Sequence, residues 1–191
     1  MSDATAPEPG ARRLRRAVPV PADVVRRARA AADLGRLTRV LAGTQADDGT
    51  WLLGTRDLLI VLPQVGETVV LPWERVEAAD WDLEQQRLRV RETGAYGEIH
   101  PERTFAVTDP GLLLELLRER VTASVVLQRH MPVRGKAGVT VIARRAPRGG
   151  ELRWMFSFDA GIDPADPAVR EAADAALAAA CAEVGVDPTR I

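Results

Sequence analysis

The sequence predicts an α+β protein, in which an antiparallel β-sheet or barrel is closed by a helix and is followed by a ββα extension. Three patterns indicate this fold class. Apolar residues recur at helical spacing at both ends of the chain, strand-like alternation with turn signals fills residues 37–107, and a second hairpin pattern precedes the last helix. With 191 residues, 46% of them hydrophobic and 28% charged, the chain can bury one core or two small packed lobes.

The N-terminal segment, residues 1–20, contains several prolines and few residues that could be buried, and we expect a disordered tail. Its ARRLRR motif precedes no apolar core, so it does not resemble a secretory signal. A short basic helix is predicted over residues 21–35, where Val24, Ala28 and Ala32 share one face and Gly35 follows the last turn.

An antiparallel meander is predicted to follow, with turns at residues 47–49, 64–66 and 93–101. Its clearest hairpin joins residues 75–82 to residues 87–92 through a four-residue loop. The predicted facing pairs are Asp82 with Arg87, Asp80 with Arg89, Trp81 with Leu88 and Ala79 with Val90. This register separates an apolar face from a charge-paired face, as a sheet with one solvated side requires.

The Asp109-Pro110 pair predicts the start of a helix that closes the sheet, and we expect its apolar stripe to run from Leu113 to Leu127. The segment RHMPVRGKAG is predicted to be a loop. A second hairpin then pairs residues 139–145 with 152–158, and an alanine-rich helix over residues 166–184 packs on it. The facing pairs expected in this hairpin are Val139 with Phe158, Val141 with Phe156, Ala143 with Trp154, Ile142 with Met155 and Arg144 with Arg153.

The stretch GTRDLLIVLPQVGETVVLPWERVEAADWD contains a tight turn at Thr55-Arg56-Asp57 between apolar strands and a Pro-led strand. It resembles the bacterial pleckstrin-homology-like domains, and this resemblance covers residues 37–130. The whole chain, including ERVTASVVLQRHMPVRG, also resembles an uncharacterised group of small actinobacterial proteins. The resemblance implies a binding scaffold for lipid headgroups, peptides or proteins, with residues 131–191 packed on it as the extension, and a shared fold does not select among these ligands.

Residues that could carry chemistry are few, and we predict a protein without enzymatic activity, cofactor or metal. His100 is expected in a solvated loop near Glu98 and Glu102, and His130 at a helix end or in an interface. Asp80 and Asp82 are opposed by arginines in the predicted hairpin, which favours ion pairing over metal binding. The single cysteine, Cys181, lies on the apolar side of the last helix, and with no export signal we expect a cytoplasmic protein.

Basic residues are concentrated late in the chain: residues 129–150 carry six positive charges and no acid, whereas residues 151–191 carry eight acids and three arginines. In the predicted hairpin, Arg144 and Arg153 form a like-charge pair beside Ile142 and Met155 on an outward face. The predicted binding site therefore comprises Arg129, His130, Arg134, Lys136, Ile142, Arg144, Arg153 and Met155. Neutralisation of these charges by acids of the last helix is the alternative.

Four functions remain open on this basis. We favour a non-enzymatic interaction module that binds a protein partner or an anionic ligand through the basic hairpin. A nucleic-acid-associated protein could use the patch from Arg129 to Arg153 with the basic N-terminal helix. An enzyme could have a site around Tyr96, Glu98 and His100, and peripheral membrane contact is disfavoured because no lysine-rich patch lies near Thr55-Arg56-Asp57.

Overall fold

The computed structural model describes residues 18–35, 37–94, 96 and 100–187, so the predicted N-terminal tail up to residue 17 and Glu98 lie outside the described residues. Within these ranges the chain forms three α-helices and three antiparallel sheets, which together contain ten strands. The elements are α1 (Ala22–Ala31), β1 (Ala42–Gln45), β2 (Trp51–Gly54), β3 (Leu58–Leu62), β4 (Val69–Pro72), a 3-10 turn (Trp73–Arg75), β5 (Val76–Asp82), β6 (Arg87–Glu92), β7 (Glu102–Ala106), α2 (Gly111–Ser124), β8 (Val125–Arg134), β9 (Ala137–Arg144), β10 (Arg153–Phe158) and α3 (Pro167–Val184). The α+β class is confirmed, but the described strands form open sheets and no closed barrel.

The first sheet has the order β1-β2-β3-β4, and both of its faces are covered. Leu52 and Leu59 belong to the central core, while Leu53 and Ile60 pack with α1 in a separate cluster on the other face. Burial on two sides explains why β2 and β3 are continuous apolar runs without polar alternation. The predicted helix α1 is present, although it ends at Ala31, four residues before Gly35.

The second sheet has the order β5-β6-β7, and its β5–β6 register is the predicted one. Leu88 and Val90 are buried, while the arginines that alternate with them on β6 are exposed. The ion pair of this hairpin is diagonal, because Nη2 of Arg89 lies 3.4 Å from Oδ2 of Asp82. One apolar and one solvated charged face are confirmed.

Helix α2 begins as predicted, with Oδ1 of Asp109 accepting a hydrogen bond of 2.8 Å from the backbone N–H of Gly111. Its buried leucines fill the core between the first two sheets, as expected of a closing helix. The prediction that the helix continues to Leu127 is wrong, because α2 ends at Ser124 and β8 begins at Val125. The side chains of β8 alternate between half-buried and exposed along all ten residues, the period of a strand.

The third sheet has the order β10-β9-β8, so the extension is βββα, and the predicted loop RHMPVRGKAG contributes much of β8. The β9–β10 register agrees with the prediction at every facing pair. Helix α3 packs across β8 and β9, as expected, and begins after Asp166, whose carboxylate accepts a hydrogen bond from the N–H of Ala168. Among the described helices, none combines the length and apolarity needed to cross a membrane.

Candidate functional site

The predicted outward face of the β9–β10 hairpin is covered in the structure. Arg144 faces Arg153 as predicted, but the side chain of Arg144 is buried, with 4% of its surface exposed. Ile142 and Met155 are also buried, at 7% and 3% exposure. The prediction that Arg144, Ile142 and Met155 are exposed is therefore wrong, because this face of the third sheet packs against β5 and the end of α2, whereas Arg153 is exposed as predicted.

The guanidinium group of Arg144 is satisfied by uncharged acceptors. Its Nη1 donates hydrogen bonds to the carbonyl oxygen of Val121 at 3.0 Å and to Oγ of Ser124 at 2.7 Å, and its Nη2 donates to the carbonyl oxygen of Glu77 at 3.0 Å. Burial lowers the pKa of Arg144, and the negative charge of Glu77 opposes that shift. The acids of the last helix are not its partners, so the predicted alternative of neutralisation by that helix does not apply to Arg144.

The other predicted basic residues do not form one surface. Arg129 is ion-paired with Glu183 on α3, and Nε2 of His130 lies 3.2 Å from Oδ2 of Asp159. His130 thus lies on a strand, and its predicted position at a helix end is wrong. Arg134 and Lys136 are exposed at one end of the third sheet, and Arg153 is exposed at the other. The eight residues of β9 separate these ends by about 25 Å at the usual rise of a strand.

A cleft of about 330 Å³ lies where the third sheet meets the 3-10 turn and the end of β6. Three of its residues, Arg144, Arg153 and Met155, belong to the predicted site. The lining residues are Glu74, Arg75, Thr93, Gly94, Arg144, Arg153, Trp154 and Met155. Sequence reasoning missed Glu74, Arg75, Thr93 and Gly94, and no local pattern indicates that these turn and strand-end positions meet the hairpin.

The charge of this cleft is predominantly positive, since it is lined by three arginines and one glutamate. Arg75 and Arg153 are exposed, and neither forms an ion pair with another described residue. Oε2 of Glu74 is buried and accepts no hydrogen bond from the described part of the protein. The cleft thus presents two exposed guanidinium groups that have no ion-pair partner among the described residues, and such groups bind anions.

Behind the cleft wall, Nδ1 of His100 lies 2.6 Å from Oε2 of Glu77, and both side chains are largely buried. His100 is therefore paired, and the predicted solvated loop histidine is wrong. Gly94 lines the cleft and lies directly against the imidazole of His100. A Cβ atom on Gly94 would lie only 2.5 Å from Cδ2 of His100. The backbone N–H of Thr93 donates to the carbonyl oxygen of Arg75, which holds this part of the wall to the 3-10 turn before β5.

Tyr96 does not join His100 in a common site. Its ring packs edge-on against Phe156 and Phe158, with centroids 5.0 and 5.3 Å apart, and its hydroxyl donates a hydrogen bond to the carbonyl oxygen of Pro164. Arg170 lies over the same ring at 5.1 Å. Tyr96 is half-buried, and its ring joins the segment after β6 to the extension.

Most of the charged groups that line the cleft are guanidinium groups. Guanidinium groups remain protonated at neutral pH, so they hold anions but do not exchange protons with them. Cys181 lies outside the cleft and is buried as predicted, and burial first, then the charge of Asp187, raises the pKa of its thiol. Comparison of the chain with protein-family models, with curated proteins and with solved structures found no match in any of the three.

Proposed function

We propose that this protein is a non-enzymatic interaction module that binds a carboxylate or phosphate group of a protein partner in the cleft beside β10. The observation that carries the proposal is that Arg75 and Arg153 are exposed in one recess and neither forms an ion pair with another described residue, although Glu74 lines the same recess. Arginine is suited to this role because its planar group can bind either anion through two parallel hydrogen bonds.

A protein partner fits the surroundings of the cleft better than a small free anion. A second recess of about 470 Å³ shares Glu74, Arg153 and Trp154 with the cleft and extends it towards the turn between β9 and β10. Arginine and tryptophan are the side chains that most often dominate the energy of protein interfaces. The combined recess is lined by three arginines, two glutamates, Glu74 and Glu151, and apolar side chains, and it offers these groups to one extended segment that carries an acidic side chain for Arg75 and Arg153.

We also propose that the chain contains a pleckstrin-homology-like domain, and that it covers residues 37–124 of the predicted range 37–130, because β8 begins at Val125 and belongs to the third sheet. A four-stranded and a three-stranded antiparallel sheet precede a helix whose Leu113 and Leu117 fill the core between them, which supports this proposal. The Thr55 turn supports it as well, because Oγ1 of Thr55 accepts a hydrogen bond of 2.9 Å from the N–H of Leu58. A scaffold of this kind agrees with a binding role, although it does not determine the ligand.

The structure gives less support to nucleic-acid binding by the predicted patch from Arg129 to Arg153. A phosphate-binding track needs adjacent cationic side chains along one surface. Between residues 129 and 153, Arg144 is buried, while Arg129 and Arg148 are paired with Glu183 and Asp57. The track is therefore interrupted at three of its basic positions.

The proposed site can be tested by titrating the ¹⁵N-labelled protein with inorganic phosphate and, separately, with a short polyglutamate peptide. We expect saturable shifts of the backbone amide signals of Arg75, Thr93 and Gly94. An Arg75→Glu, Arg153→Glu double variant should abolish these shifts, because it replaces both unpaired cations by anions. The matched control is Arg134→Glu, Lys136→Glu, which makes the same change of charge at the far end of the third sheet.

Two results would contradict the proposed function. One is the absence of saturable shifts at these amides with both probes in the wild-type protein. The other is an equal loss in the double variant and in the control, since this would mean that net charge alone attracts the probe.

A further inference from the structure

Among the described residues, the two large apolar side chains with the greatest exposure lie in loops that are held to the basic helix α1. Leu37 is 95% exposed and Val65 is 92% exposed. Nη2 of Arg29 donates a hydrogen bond of 3.1 Å to the carbonyl oxygen of Thr38, next to Leu37. Nη2 of Arg27 donates a hydrogen bond of 2.9 Å to the carbonyl oxygen of Pro63, two residues before Val65.

The geometry of α1 places these two loops on opposite sides of the helix. Val24 and Ala28 are buried against the first sheet, so the opposite side of α1, which includes Arg26, faces solvent. Positions 27 and 29 are separated by about 200° around a helix axis, at about 100° per residue. The solvent side of α1 therefore lies between two anchored loops, each with an aliphatic residue at its exposed tip.

More apolar surface continues from the Leu37 loop. Leu41 is 45% exposed and borders a groove of about 220 Å³ between α1 and β1. Val18, Val25 and Val40 line this groove, which has no charged residue in its lining. Scattered single apolar residues are ordinary on protein surfaces, but a group of exposed aliphatic residues beside a groove marks an interaction site.

The described residues around this group carry a positive net charge. Residues 18–35 and 37–41 contain four arginines and two acids, Asp23 and Asp33, which is a net charge of +2 in a chain whose net charge is −1. Arg26 and Arg39 are exposed, and neither is ion-paired with another described residue. This segment is the complement of an anionic surface.

We propose that the α1 surface, defined by Arg26, Leu37, Arg39, Leu41 and Val65, docks on the surface of an anionic lipid membrane. Stable docking requires two signals, apolar insertion and electrostatic attraction. The two exposed tips supply the first, and the arginines supply the second by binding acidic headgroups. The site lies on the outer side of the first sheet and is distinct from the anion-binding cleft.

The aliphatic character of the tips favours a membrane over a nucleic acid. Nucleic-acid surfaces contact cations at phosphates and aromatic rings at bases. The α1 surface has the cations, but Leu37, Leu41 and Val65 provide no ring for stacking. Aliphatic side chains gain free energy when they enter the acyl region of a bilayer, so their exposure is explained by that partner.

The test is co-sedimentation of the full chain with vesicles of phosphatidylcholine that contain about one third phosphatidylserine, compared with pure phosphatidylcholine. We expect binding to the mixed vesicles only. Leu37→Ser, Val65→Ser should weaken the partition coefficient about tenfold or more, because two aliphatic side chains no longer insert. Arg26→Glu, Arg39→Glu should weaken it by a similar factor or more.

Matched controls separate the specific surface from general effects. Leu83→Ser removes an aliphatic residue that is 68% exposed in the β5–β6 loop, and Arg118→Glu reverses an exposed charge on α2. Both control variants should bind like the wild type. Circular dichroism should show that all variants are folded, which is expected because every substituted side chain is solvent-exposed.

Three results would overturn the proposal. The first is the absence of wild-type sedimentation with the mixed vesicles. The second is equal sedimentation with pure phosphatidylcholine. The third is loss of binding in the arginine variant but not in Leu37→Ser, Val65→Ser, together with tight binding of duplex DNA, which would identify the α1 surface as a general polyanion site.

Discussion

Arg144 joins three elements through a single guanidinium group. Its donors reach the end of α2, the start of β5 and the sulfur of Met155 on β10. Arginine can do this because its donors form a rigid planar fork, whereas the ammonium group of lysine is a compact point charge. The residue closes the floor of the cleft and also holds the extension against the rest of the protein.

We predict that Arg144→Ala lowers the free energy of unfolding by about 3 kcal/mol, because buried acceptors at Val121, Ser124 and Glu77 lose their donor. Arg144→Lys should recover only part of this loss. Urea denaturation measures both values. The control is Arg145→Ala at the exposed neighbour, where we expect a change within about 0.5 kcal/mol, and equal effects at the two positions would contradict the assigned role.

At the level of elements, the third sheet is held together at its open end by Asp159. The backbone N–H of Gly138 donates a hydrogen bond of 2.8 Å to Oδ2 of Asp159, and the N–H of Asp159 donates one of 3.0 Å to the carbonyl oxygen of Gly138. His130 on β8 lies beside the same carboxylate. The bond from Gly138 first, and then the bond with His130, lowers the pKa of Asp159.

This shift predicts how stability changes with pH. Because the pKa of Asp159 is lower in the folded chain, the ionised group stabilises the fold above the ordinary aspartate pKa of about 4, and this contribution is lost as the pH falls through the lowered value. Asp159→Asn should therefore be less stable than the wild type at neutral pH. The difference should shrink and disappear in acid, as measured by urea midpoints over a pH series.

The control for this prediction is Asp80→Asn, which removes an exposed carboxylate from the second sheet. Its difference from the wild type should vary less between neutral and acid conditions. A constant difference between wild type and Asp159→Asn at every pH would show that the carboxylate charge does not stabilise the sheet.

At the scale of the whole molecule, contacts at several described residues join the extension to the two earlier sheets. Tyr96, between β6 and β7 in the chain, packs on the aromatic residues of β10, Arg144 reaches the carbonyl oxygen of Glu77, and Arg148 pairs with Asp57. Because the cleft lies between these units, any change that loosens the contacts also changes the cleft. The proposed binding site thus depends on how the units pack.

We predict that Tyr96→Ala lowers the free energy of unfolding by about 2 kcal/mol, since the half-buried ring loses its contacts with Phe156 and Phe158. Tyr96→Phe keeps the ring and should cost about 1 kcal/mol or less, the value of one hydrogen bond. Hydrogen exchange should accelerate in β10 of the alanine variant more than in β2 and β3. Uniform acceleration through all sheets would contradict a local role at the junction.

Local pattern in the sequence was sufficient for most elements of this fold. Both hairpin registers, the start of α2 and the limits of α3 follow from turn residues, caps and alternation, which act over a few neighbouring positions. The helix-to-strand change at Ser124 was missed because Val121, Ser124 and Leu127 also fit a helical stripe. The segment after Ser124 is a strand because β8 pairs with β9, and this pairing involves residues too distant in sequence to be seen in a local pattern.

Only the tertiary structure decided which face of the late hairpin meets solvent. The sequence determined that Arg144 and Arg153 face each other, but burial depends on what packs above them, and Val121 and Glu77 lie 23 and 67 residues away from Arg144. Long-range packing also places the basic residues of 129–150 on different surfaces and brings the residues of the cleft together from distant positions in the sequence. Side-chain alternation assigns residues to the two faces of a strand, whereas long-range packing determines which face is buried.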